Sequence, residues 1–140
     1  MVDDIVLNKK VTIERCITQI RAYYARDDGL SFEEDYMKQD AIGINLQRLC
    51  ESAIDIANRW IRVEKLGVPR SSAEAFALLH RAKRISKPMS QGLQAMVGFR
   101  NVLVHNYREL DLNIMLDVIH NHLNDSLAFA NLALDALSSP

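Results

Sequence analysis

Two cysteines, three prolines and five glycines are all that the 140 residues contain of these types, and aromatic residues make up only 6%. Two cysteines with no C-x-x-C spacing supply neither a disulfide framework nor a zinc-binding pair, and Cys16 and Cys50 fall in apolar helical stretches, where a free thiol packs as a small hydrophobe. With so few breakers the chain has long uninterrupted segments, yet none alternates Val, Ile, Thr or Tyr with polar residues over a useful length. The composition favours an all-α fold. No apolar run approaches the roughly 20 residues needed to span a bilayer. The opening MVDDIVLNKK carries acids where a secretory signal carries bases. The expected protein is soluble and cytoplasmic, with no membrane partner.

The chain is 49% hydrophobic and 25% charged, enough apolar content for one core, so residues 1–140 are expected to form a single domain. The net charge of -1 argues against a general polyanion binder, but the charges are unevenly placed. Between residues 59 and 87 lie Arg59, Arg62, Lys65, Arg70, Arg81, Lys83, Arg84 and Lys87 against only Glu64 and Glu74, a local charge of +6. Such a segment is either a footprint for phosphates or a set of solvated helix faces.

Apolar periodicity lays out the helices. Ile13, Ile17, Ile20 and Tyr24 share one face of a first helix over residues 4–25, which ends in Asp27-Asp28-Gly29. Ser31 to Glu34 has the form of a capping box, the acidic stretch to Asp40 reads as either a short helix or an extended lead-in, and a second long helix then carries Ile42, Leu46, Leu49, Ala53, Ile56 and Trp60. Leu66-Gly67-Val68-Pro69 stops it, with Gly67 expected in the left-handed position after the helix. Ser71 caps a shorter third helix that ends in the HRAKR run, and Pro88 suits the first turn of a fourth. After a break at 108–111, Leu112, Leu116, Ile119, Leu123, Leu127, Ala130, Leu134 and Leu137 predict one continuous final helix. The short connections predict an up-and-down bundle of four to five helices.

One cluster stands apart from this apolar pattern. The fourth helix ends in RNVLVHNY, residues 100–107. Positions four apart stack on a helix face, so Asn101 lies beneath His105, and at seven apart Arg100 falls on the same side as Tyr107. A guanidinium presents a rigid fork of donors to phosphate oxygens, and a histidine at a helix C-terminus is well placed for proton transfer. The bland alternative is a surface pair with a structural histidine. His120 and His122, two apart, point to different faces and make poor metal ligands. His80 opens the basic run in an exposed setting.

The spacing Arg100-x4-His105-x-Tyr107, with Asn101 directly after the arginine, resembles the R-x4-6-H signature of HEPN domains, and the trailing tyrosine resembles the HepT-type toxins among them. The likeness extends over NLQRLCESAIDIANRW, the LGVP-S break, MVGFRNVLVHNY and ELDL, nearly the whole chain. The resemblance implies a metal-independent endoribonuclease toxin acting as a homodimer, with the motifs of both copies facing one cleft. It implies that His105 transfers protons, Arg100 stabilises the charge on the phosphorane, and Asn101 orients the histidine or a phosphate oxygen. Cleavage by the 2'-hydroxyl of the RNA then leaves a 2',3'-cyclic phosphate and spares DNA. It further implies neutralisation by a cognate minimal nucleotidyltransferase that moves AMP from ATP to Tyr107. Arg81, Lys83, Arg84 and Lys87 become candidates for the RNA path. No cofactor and no metal is expected. The rival reading within the same fold is a non-catalytic nucleotide-binding or interaction module that partners a nucleotidyltransferase.

Overall fold

Helix α1 spans Asp4–Ala25, capped by the Asp3 carboxylate, which accepts from the Val6 N–H at 3.0 Å. The computed structural model describes residues 1–138. The capping box expected at Ser31 forms a tight turn instead of a helix start: Ser31 Oγ donates to Glu34 Oε1 at 2.9 Å, and the chain turns once more before α2. The true cap is Asp35, whose carboxylate accepts from the Lys38 N–H. Helix α2 then runs Tyr36–Glu64 and absorbs the acidic lead-in. Gln39 fastens the preceding turn by donating to the Phe32 and Glu33 carbonyls at 2.8 and 3.1 Å.

The end of α2 differs from expectation. Lys65, at φ 56°, takes the left-handed position expected of Gly67, because the Leu66 N–H closes a bond to the Ile61 carbonyl one turn earlier. Gly67, at φ 133°, follows and lets the chain reverse. Helix α3 spans Ser72–Arg81 with the Ser71 cap as expected. Its C-terminus repeats the closure of α2: Lys83 sits at φ 62° and the Arg84 N–H reaches the Leu79 carbonyl. Ser86 caps α4, Lys87–His105, with proline in its first turn.

The expected single final helix is two, so the described residues contain six helices rather than four or five. A 3₁₀ turn over Tyr107–Glu109 precedes α5, Leu112–Asn121, and α6 covers Leu123–Leu137. The break falls at His122, at φ -126° and ψ 0°, whose ring lies 3.1 Å from Asp117 and 3.0 Å from Asp125, one carboxylate on either side. The hydrogen bond to Asp125, reinforced by both carboxylate charges, raises the His122 pKa. A raised folded value stabilises fully below the ordinary 6.5 and is lost as pH rises through the folded value. The effect is held to about 0.2–1 kcal/mol by solvent screening. Urea melts should therefore show higher stability in mildly acidic than in mildly alkaline buffer, and His122→Gln should flatten that difference.

The core draws buried residues from all six helices, and its large rings meet between α2, α3 and α6. Trp60, Phe76 and Phe129 are almost wholly buried, with ring centroids 5.9 Å apart for Trp60 and Phe129 and 5.3 Å for the edge-on pair Phe76 and Phe129. Trp60 Nε1 donates to Glu64, which also accepts from Arg84 at 2.6 Å. Ser90 Oγ ties α4 to α3 by donating to the Phe76 carbonyl at 3.0 Å. Cys16 and Cys50 are both buried free thiols. No helix among the described residues is long and apolar enough to cross a membrane.

Candidate active site

The C-terminal half of α4 lies beside the N-terminal half of α2, and Gly43 marks the close approach. A Cβ there would stand 3.7 Å from Leu103, 3.8 Å from Met115 and 3.9 Å from the Tyr107 ring. Against this contact the motif divides into two sets. Asn101 and His105 are exposed, one helical turn apart on the outer face of α4. Arg100 turns inward: its side chain is only 20% exposed, its Nη1 lies 3.8 Å from Glu51 Oε1, and its buried Nε has no hydrogen-bond partner among the described residues. Gln47 donates to that same Glu51 oxygen at 3.1 Å.

Helix α4 ends at His105, so Tyr107 lies on the 3₁₀ turn and not on the helix whose spacing suggested its direction. It still reaches the α2 edge that Arg100 faces. The Tyr107 hydroxyl donates to Asp40 Oδ1 at 2.7 Å. Burial, the hydrogen bond to Asp40 and the Asp40 charge together push the phenol up to about 12. Its side remains open to solvent, since the residue is 41% exposed.

Asp40, Gln47 and Glu51 are the site's neighbours that sequence reasoning missed. With Ile44 they recur at spacings of 4, 3 and 4, a stripe along α2 beside its buried face. That stripe was the available signal, but nothing in it names α4 as the neighbour. Cys50, on the adjoining row, donates weakly to the Met96 carbonyl, and burial pushes its thiol up to about 12, which keeps it out of nucleophilic chemistry.

The basic candidates lie at the far end of α4. Eighteen residues separate Lys87 from His105, about 27 Å along the helix axis. Arg81 and Lys83 are exposed, whereas Arg84 is committed to Glu64 and to the Ala82 carbonyl at 2.8 Å. His80 is half-buried, its Nδ1 3.3 Å from the Ile85 carbonyl, which gives it a place in the loop closure and not the exposed setting expected. His120 contacts the Tyr24 hydroxyl across α1, far in role from His122 at the helix break.

A six-helix bundle with an arginine and a histidine at the end of the fourth helix, and a tyrosine just beyond it, is a HEPN-type domain. The family described as Ribonuclease HepT-like matches residues 13–133, and the chain belongs to that family. It is 46% identical over 123 residues to the mRNA nuclease HepT of Shewanella oneidensis, covering 88% of this chain and 91% of that protein. Among solved structures, a toxin-antitoxin crystallised with AMP-PNP superposes with a TM-score of 0.87 at 44% identity, covering 94% of this chain and 98% of the other. The tri-AMPylated Shewanella oneidensis HEPN toxin in complex with MNT antitoxin gives a TM-score of 0.86 at 45% identity, covering 93% and 96%.

Proposed function

We propose that this chain is the toxin of a toxin-antitoxin pair, an endoribonuclease of the cytoplasm silenced by AMP transfer to Tyr107 from a cognate minimal nucleotidyltransferase. The observation that carries the reading is the gathering of Arg100, Asn101, His105 and Tyr107 at one end of α4, in a chain 46% identical over 123 residues to an mRNA nuclease. In this scheme the RNA 2'-hydroxyl attacks the adjacent phosphorus, and the bond to the 5'-oxygen breaks. His105 takes the first proton or supplies the second, Arg100 stabilises the charge that grows on the phosphorane once its guanidinium leaves Glu51, and Asn101 orients the imidazole or a phosphate oxygen. The chemistry needs no metal and leaves a 2',3'-cyclic phosphate.

A homodimer supplies two copies of His105, one for each proton transfer. Val104 and Ile44, each 42% exposed on α4 and α2 beside the motif, are apolar side chains suited to that contact. Lys87 would then hold RNA about 27 Å along α4 from His105, with Arg81 and Lys83 beside that far end, as a distal rail and not as part of the reacting centre. Arg84 has less freedom to join them. The AMP group on Tyr107 adds a negative phosphodiester and bulk where an RNA phosphate must sit.

Incubation with RNA in EDTA tests the reading. The wild-type protein is expected to cut RNA, leave the matched DNA whole and yield cyclic phosphate ends. Treatment with the nucleotidyltransferase and ATP should stop cleavage of RNA by the wild type, whereas Tyr107→Phe should take up no AMP and escape silencing. Intact RNA in every lane, with AMP still transferred to the wild type, would instead identify the non-catalytic partner of a nucleotidyltransferase.

A further inference from the structure

Tyr107 is proposed above as the acceptor of AMP, and the present inference rests on that reading: we propose that Asp40 of the toxin itself is the general base for the transfer. The hydroxyl to be modified donates to Asp40 Oδ1 at 2.7 Å, the length of a strong O–H···O⁻ bond. No Lys, Arg or His forms an ion pair with Asp40 among the described residues, so its carboxylate is not neutralised by a neighbouring cation. Both groups are open to solvent, and an enzyme bound there can reach the phenol without dismantling the core.

The chemistry requires such a base. A phenol held neutral up to about 12 presents almost no phenolate near neutrality, so its proton must leave as the new bond forms. In the transfer, the Tyr107 oxygen forms a bond to the α-phosphorus of ATP, and the bond from that phosphorus to the bridging oxygen breaks, releasing pyrophosphate. The phenolic proton passes to the Asp40 carboxylate and from there to water. A carboxylate suffices because the acidity of the attacking oxygen rises steeply as phosphorus adds to it, the same late proton transfer that protein kinases assign to an aspartate. The toxin thus brings half of the machinery for its own silencing.

The test is single-turnover transfer of labelled AMP from ATP by the cognate nucleotidyltransferase, across neutral to alkaline pH, to wild-type toxin, Asp40→Asn and Asp40→Glu. Asparagine still accepts a hydrogen bond from the phenol and can orient it, but it cannot take the proton. Asp40→Asn is expected to slow the transfer about 100-fold and to make its rate climb with pH as solution base takes over. Asp40→Glu is expected to keep the pH-independent wild-type profile at a reduced rate. Far-ultraviolet circular dichroism checks that each variant is folded, and if Asp40→Asn is not, Asp40→Ala carries the comparison, with recovery of the rate by added formate expected and its absence overturning the proposal. Transfer to Asp40→Asn at the wild-type rate overturns the proposal, and so does a slow transfer with the wild-type pH profile, which would reduce Asp40 to a positioning residue. Peptide mapping of the wild type separates the two claims. AMP absent from Tyr107 removes the modification reading, and with it this inference, whereas AMP on Tyr107 with an indifferent Asp40→Asn removes the inference alone.

Discussion

His105→Ala is expected to slow RNA cleavage about 10³-fold, the usual worth of a positioned proton-transfer group. The size of the loss follows from where the side chain sits. His105 is exposed at the last position of α4 and takes part in no described hydrogen bond or ion pair, so its removal opens no cavity and leaves no buried group unpaired. Thermal melts of the variant should match the wild type, and the loss should appear in turnover. Arg100→Ala is the contrasting case. Its side chain is mostly buried beside Glu51, so truncation removes packing and, under the proposed function, phosphate stabilisation as well, and both the melting temperature and the cleavage rate should fall. Cleavage by His105→Ala within a factor of about two of the wild type would remove the histidine from the reaction.

Phe129→Ala should cost about 3–5 kcal/mol, among the largest stability losses expected of a single core truncation. Phe129 is fully buried in α6 and touches both of the other large core rings, Trp60 of α2 and Phe76 of α3. Its loss therefore loosens three helices together. Neighbouring Ala130 and Ala133 are also fully buried but carry too little volume to close the void. Urea denaturation should show a midpoint well below that of the wild type with little change in slope, and Phe129→Leu should recover most of the difference. A loss under about 1 kcal/mol would mean that the surrounding helices collapse onto the site.

Local chemistry carried far in the sequence. Helix α1 begins and ends where its apolar spacing places it, and the serine cap at 71 acts as its position suggests, because a cap needs only its next three residues. The leucine ladder after residue 112 was more misleading. Its spacing passes unbroken through His122, where two flanking carboxylates hold the ring and the helix stops. The fully buried positions of α6 include Ser126, Phe129 and Ala133, while Leu127, Leu134 and Leu137 are only half-buried. Helix α6 packs against α1, α2 and α4 at once, so its inner face is wider than one seam, and small residues mark the closest approach.

At the candidate site, Arg100, Asn101, His105 and Tyr107 were legible as a motif, since they are near in sequence. Asp40 and Glu51 were not, because a hydrogen bond spanning 67 residues depends on how α2 and α4 dock. The burial of Arg100 was also invisible, as periodicity gave its side and not the acid opposite it. The basic run read as adjoining the motif because it leads into the same helix, but that helix is long enough to carry it away.

Asp40 and Glu51 stand on one unbroken helix, eleven residues or about 16 Å apart, and each meets a different member of the motif. Helix α2 is therefore a single ruler against which both Tyr107 and Arg100 are set. Under the proposed function, this ties the weapon to its safety catch: a mutation that slid α2 along α4 to hide Tyr107 from the neutralising enzyme would carry Glu51 away from Arg100 by the same distance. A lineage selecting for an unsilenced toxin would find that route closed, and would have to alter the tyrosine or its aspartate directly.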